Sequence, residues 1–220
     1  MRPRTHYKCT QHPVNSQFSP QPLLRKNPTQ IAKTPGLHYL VLAMRNYYDE
    51  ADVRRIVQGL ADKIATSFSP HGPLNIIGIR TRGEALAQRL VQILQPRGFT
   101  QIHRGVLDIT LYRDDLSEIG PGPMVRPTEL NIAIDDQPML LVDDVLFTGR
   151  SVRAALNALI DFGRPSVIRL AVLVDRGGRE LPIQADFVAL TLNDVPTDHR
   201  VNVRLCEVDG KDEIVVEPKG

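Results

Sequence analysis

Tryptophan is absent from this 220-residue chain, cysteine occurs only twice, and aromatic residues make up 5% of it. Cys9 and Cys206 stand far apart with no metal-type spacing, which argues against a disulfide framework or a zinc site and for two reduced thiols in cytosol. No apolar run approaches the roughly 18 residues that span a bilayer, and residues 1–36 hold no signal-peptide core, so a cytoplasmic protein without a membrane partner is expected. Nor is there a Gly-Lys-Ser/Thr loop of the nucleotide-triphosphatase kind. No Ser–His or Cys–His arrangement suggests a covalent nucleophile, and neither His103 nor His199 has a partner at metal or base spacing. Acidic residues are missing before Asp49, whereas Arg2, Arg4, Lys8, Arg25, Lys26, Lys33 and Arg45 all fall there. Those seven leave 20 of the 27 Lys and Arg to face all 25 acids in the remainder, a net of −5 beneath the overall +2. Six of the 17 prolines share the same basic stretch.

Such a composition cannot bury a core, so residues 1–43 are expected to be a disordered tail and 44–220 a single domain. Three readings of the tail stay open: a basic arm touching RNA, a targeting segment, or sequence upstream of a start at Met44.

What is present is concentrated in two strand–loop–helix segments. Met139–Val142 reads as a buried strand and Val152–Phe162 as a helix. Between them lie two carboxylates, Asp143 and Asp144, and then Val145, Leu146, Phe147, Thr148, Gly149, Arg150 and Ser151. A loop of backbone N–H groups and hydroxyls at the positive end of a helix suits a monoester phosphate. Ionised carboxylates accept hydrogen bonds without donating any, which suits the vicinal hydroxyls of a ribose or a divalent metal bridging to them. Together they describe a ribose-5-phosphate site. Upstream, the strand Leu74–Ile79 runs into Arg80, Thr81, Arg82 and Gly83, and a helix carrying Leu86, Leu90, Ile93 and Leu94 follows. Gly83 permits a tight turn and close approach of backbone to a ligand, and arginine forks suit phosphate, so this loop has the geometry of a second anion site.

An earlier helix is expected after a cap at Asp49, with Val53, Ile56, Val57, Leu60 and Ile64 on its buried face. Strand character spans Arg104–Tyr112, and the Gly- and Pro-rich stretch from Arg113 to Pro127 is read as a lid, as long loops inside compact domains often are. Val167–Val174 is another buried strand, and Val201–Glu207 and Glu213–Glu217 are expected to form a hairpin turning at Asp209-Gly210. Strands alternating with helices imply an α/β fold with a mostly parallel sheet covered on both faces, and ligands at the carboxyl ends of its strands.

The Asp143–Ser151 segment resembles the PRPP-binding motif of the phosphoribosyltransferases. With Ile79–Gly83, Leu107–Leu116 and Leu170–Ala185 added, residues 46–217 resemble the PyrR family, pyrimidine-operon attenuation regulators that are also uracil phosphoribosyltransferases. The resemblance implies a type I phosphoribosyltransferase fold with a small hood and a flexible lid. It also implies UMP and pyrophosphate made from uracil and PRPP, Mg²⁺, and a homodimer or larger assembly. Asp143 and Asp144 would then hold the ribose hydroxyls and, indirectly, the metal, with Arg113 assisting. Residues Val145–Ser151 would bind PRPP or UMP, and Arg80–Gly83 the pyrophosphate. The alternative is a UMP- or PRPP-sensing, RNA-binding regulator with little catalysis. Against it, the positions matching the family's RNA contacts hold Gln58, Gly59, Asp62, Gly178, Gln184 and Leu190, none of them cationic. No side chain stands out as a reader of the base, so a base other than uracil stays open.

Overall fold

The computed structural model of the chain describes residues 47–113 and 127–219. The expected tail and the middle of the expected lid lie outside the described residues. After the two-residue strand β1 (Tyr47–Tyr48), helix α1 (Glu50–Ser67) starts as its sequence predicts. Asp49 is extended and its carboxylate accepts the Asp52 N–H at 2.9 Å, satisfying one of the first-turn donors. Val53, Ile56, Val57, Leu60 and Ile64 form the buried stripe.

Five parallel strands make the central sheet, in the order β3 (Ile102–Leu107), β2 (Leu74–Ile79), β4 (Pro138–Leu146), β5 (Val167–Asp175) and β6 (Phe187–Thr191). Successive residues on a strand face opposite ways, and the two faces bury separate clusters. Leu140, Val142, Ala171 and Leu173 pack with α1 and α2 (Arg82–Leu94), whereas Met139, Leu141, Leu170 and Val172 pack with α3 (Arg150–Ile160). From β2 the chain moves outward to β3 and then crosses back to β4 on the other side. The order therefore reverses between β2 and β4, where Gly78 stands beside Val142. Such a switch point opens a crevice at the carboxyl ends of the two strands.

A second, antiparallel sheet, β1–β8–β7, is the hood, built from β7 (His199–Arg204) and β8 (Glu213–Pro218). It is tied to the body by Arg89 of α2, whose guanidinium donates to Glu207 at 2.8 Å and to Asp212 at 2.7 Å. No helix among the described residues is long and apolar enough to cross a membrane.

Three elements differ from the sequence reading. The late hairpin does not turn at Asp209-Gly210 alone: a helical turn, α4 (Cys206–Asp209), is inserted, and Gly210 ends it at φ +75°. The expected strand 104–112 stops at Leu107, because the Asp108 carboxylate accepts the Thr110 N–H at 2.7 Å and folds the chain into a 3-10 turn over Thr110–Tyr112. Helix α3 ends at Ile160, leaving Phe162 outside it.

Candidate active site

Asp143 and Asp144 sit at the carboxyl end of β4, on the switch point. Asp143 is only 7% exposed, and its Oδ1 accepts the Asp144 N–H at 2.9 Å. The Asp144 Oδ1 accepts the Val145 N–H at 2.9 Å. Burial pushes the Asp143 carboxyl well above the usual carboxylate range, and the neighbouring Asp144 charge adds to the rise. Asp144 is raised by burial too, opposed by the hydrogen bonds from Asp143 and Val145 and by the Arg82 charge. Two acids this close share their protons, so a ligand that supplies hydroxyl donors or positive charge would favour the ionised pair. Arg113, at the end of a described segment, exerts a charge that lowers the Asp143 pKa.

The loop that follows is closely braced. Gly149 lies at φ +92°, a backbone conformation that glycine alone adopts without strain, and it directly precedes α3. The Thr148 Oγ1 accepts the Arg150 N–H at 3.3 Å. The Arg150 side chain turns away to Glu180, 2.6 Å from its carboxylate, and Ser151 stands half-buried in the first turn of α3. What the loop offers an anion is therefore backbone N–H groups and hydroxyls rather than the Arg150 charge.

The second loop, at the end of β2, has its arginines engaged. Arg80 donates to the Pro127 carbonyl at 3.1 Å and to Glu129 at 3.3 Å. Arg82 makes a two-pronged pair with Asp209 of the hood, at 2.7 and 3.0 Å, and this pairing raises its pKa. Thr81 is exposed, the Arg80–Thr81 peptide is cis, and α2 begins at Arg82 with no side-chain cap. Gly83 lies against β4 so closely that a Cβ there would stand 2.4 Å from the Val142 carbonyl oxygen. The two anion loops are thus neighbours across one crevice, as the strand order requires.

Sequence reading missed the partners of these arginines. Asp209 is 127 residues from Arg82 and carries no local signal. Glu180, Arg179 and Arg176 stood inside a motif whose roles were not assigned; Arg176 is buried and stacks on Phe147 with its guanidinium carbon 3.8 Å from the ring centre. Among the described residues no group of three or more His, Cys, Asp or Glu is placed to hold a metal ion.

A parallel sheet with its order reversed between two anion loops, and paired acids beside one of them, defines the phosphoribosyltransferase class, and the model of the phosphoribosyl transferase domain matches residues 44–209. Among solved structures, the hypoxanthine-guanine enzyme of Leishmania tarentolae in complex with GMP superposes with a TM-score of 0.58 at 14% identity, over 82% of this chain and 99% of that one. The hypoxanthine phosphoribosyltransferase of Trypanosoma cruzi, in a ternary substrates complex of a point mutant, gives 0.57 at 20% identity, over 81% and 97%. At that identity the likeness speaks for the fold. Sequence relatives are much nearer: proteins named bifunctional protein PyrR from Roseiflexus sp. and Chloroflexus aurantiacus are 50% and 51% identical, over 74% and 75% of this chain and 88% and 90% of theirs. The chain belongs to the PyrR family of phosphoribosyltransferases.

Proposed function

We propose that the protein transfers ribose 5-phosphate from PRPP to uracil, releasing pyrophosphate and leaving UMP. The observation that carries this is the adjacent pair of buried Asp143 and half-buried Asp144 at the switch point, with a glycine-capped phosphate loop on one side and the Arg80–Gly83 loop on the other. In this reading Thr148, Gly149, Ser151 and the N-terminus of α3 seat the 5′-phosphate, while Asp143 and Asp144 accept the ribose hydroxyls. The backbone at Thr81–Gly83 receives pyrophosphate, and Arg82 joins in by exchanging Asp209 for it. Arg113 brings positive charge toward the departing group from the lid side. With no covalent nucleophile, rate enhancement rests on positioning and on charge stabilisation.

The two adjacent carboxylates of Asp143 and Asp144 fit Mg²⁺ in its usual role, since that ion keeps several waters and needs only one or two carboxylates beside substrate oxygens. Asp143 and Asp144 would hold it indirectly, through water or the ribose hydroxyls, and when bound it neutralises charge on the pyrophosphate.

The decisive experiment is UMP formation from PRPP and labelled uracil with Mg²⁺. Uracil-dependent turnover is expected; turnover only with another base would overturn the uracil assignment, and none with any base would leave a nucleotide sensor. We further propose that attenuation is lost. Gln58 and Gly59 on α1 carry no charge, and Asp62 there is paired with Arg97 at 2.7 Å, so this surface offers little to an RNA backbone. A tight, sequence-specific complex with pyrimidine-operon leader RNA in a gel-shift titration would refute that loss.

A further inference from the structure

We infer that Arg179, outside the phosphate loop itself, is the positioning residue that gives the loop its anion-binding shape. The inference rests on the proposed 5′-phosphate seat and assigns a task to the Asp175–Pro182 motif, which that proposal leaves unused.

Arg179 spreads its guanidinium over three segments. Its Nε donates to the Ile183 carbonyl at 2.9 Å, and one terminal nitrogen donates to the carbonyls of Phe147 at 2.9 Å, Leu146 at 3.3 Å and Gly177 at 3.4 Å. The other terminal nitrogen donates to the Asp175 carboxylate at 2.6 Å. The next residues continue the brace. The Thr148 carbonyl accepts the N–H groups of Glu180 at 3.0 Å and Leu181 at 3.2 Å. Gly149 packs against Leu181 and Ile183, each of whose Cβ atoms would lie about van der Waals distance from an added methyl (3.5 and 3.4 Å).

Three successive carbonyls, those of Leu146, Phe147 and Thr148, are thus turned toward the 176–183 loop. In a trans peptide the C=O and the following N–H point in opposite directions. Holding those oxygens therefore turns the N–H groups of Phe147, Thr148 and Gly149 the other way. Among the described residues, none of these three donates a hydrogen bond to the protein. Unsatisfied neighbouring N–H groups on one side of a tight loop are an anion nest, and a half-buried one is costly until an anion fills it. Arg179 holds the central carbonyl, that of Phe147, and shares that of Leu146 with the Arg176 N–H at 3.1 Å, while its bonds to Asp175, Gly177 and Ile183 fix the 176–183 loop whose Glu180 and Leu181 N–H groups hold that of Thr148. Lysine cannot replace it, because a single ammonium point cannot reach acceptors on three segments at once.

The test compares UMP with uridine, whose affinity ratio isolates the phosphate. In the full chain, titration calorimetry of Arg179→Lys is expected to show the UMP-over-uridine preference cut by roughly tenfold or more, with uridine affinity little changed. In steady state the KM for PRPP should rise while the KM for uracil stays put, and millimolar guanidinium should restore part of the loss to Arg179→Ala. A merely structural residue would weaken uridine and UMP alike, and that result would overturn the inference, as would an unaltered preference. Wild-type protein that binds UMP no better than uridine would overturn the phosphate seat itself, and the inference with it. If the lysine variant fails to fold, Asp175→Asn removes the anchoring charge while an amide oxygen can still accept the Gly177 N–H, now at 2.9 Å from Asp175 Oδ1. It should lower the same ratio severalfold, and an unchanged ratio would count against Arg179.

Discussion

Changing Asp143 and Asp144 together to asparagine is expected to lower UMP formation by on the order of 10²–10⁴-fold while making the folded protein more stable at neutral pH. Each carboxylate that accepts a ribose hydroxyl contributes about 1.5–3 kcal/mol as a charge-assisted bond. Losing two of them in the transition state gives the range of rates, at roughly tenfold per 1.4 kcal/mol. The opposite sign for stability follows from burial. Both carboxyls titrate above their ordinary value in the folded chain, so the folded state holds protons that the unfolded state has released. Stability from this source is greatest at low pH and declines as pH rises from the unfolded carboxylate pKa through the raised one. An amide of the same shape has nothing to ionise, and its oxygen can still accept the N–H groups of Asp144 and Val145. The same titration sets the activity profile. In the wild type, kcat/KM for PRPP should fall as pH drops through the raised pKa, because a protonated carboxyl loses acceptor capacity. Initial rates from pH 5 to 8 and thermal melts over the same range check both halves. A double variant that is less stable than wild type at neutral pH, or that turns over normally, would contradict the assignment.

Much of this architecture was legible in local sequence, and the failures share a cause. Helix α1 was readable because Asp49 and the apolar stripe from Val53 to Ile64 are signals within one element. The strands β2, β4 and β5 were readable because strands buried on both faces show as unbroken apolar runs. From these alone, both anion loops could be placed on the same sheet edge. Strand β1 and the α4 turn were not legible, being too short to show a period. The end of β3 was misread because Val106 through Tyr112 keeps strand-like side chains while Asp108 redirects the backbone with one hydrogen bond. Least legible were the partners of the site arginines. Nothing near Arg82 in sequence announces Asp209, nor anything near Arg80 the Pro127 carbonyl, since both contacts exist only after the hood and the segment at Pro127 are brought to the end of β2. Those contacts alter how the loop is understood: its arginines join it to Pro127 and to the hood, and in the proposed reading the backbone between them is what receives pyrophosphate.

The close approach of α2 to β4 at Gly83 yields the other large effect. Gly83→Ala should reduce kcat/KM by about a hundredfold, the scale of a 1 Å misplacement of reacting groups, and destabilise the fold by roughly 1–3 kcal/mol as overpacking does. The added Cβ would lie 2.4 Å from the Val142 carbonyl oxygen and 3.3 Å from Asp143 Cα, both backbone atoms that no rotamer change can move. Retreat of α2 toward β2 is blocked as well, because Gly78 already stands so close that its own Cβ position is 2.6 Å from the Gly83 carbonyl oxygen. Relief must then come from parting β2 and β4 at their carboxyl ends, which separates the Arg80–Gly83 loop from the paired acids. Gly98→Ala provides the comparison. That glycine lies at φ +92° with no atom within 4 Å of an added Cβ, so alanine there costs backbone strain far from the site. Calorimetric melting should fall for both variants, whereas the rate should fall for Gly83→Ala alone. Equal loss of rate in the two, or a normal rate in Gly83→Ala, would mean that the contact between α2 and β4 does not set the geometry of the reaction.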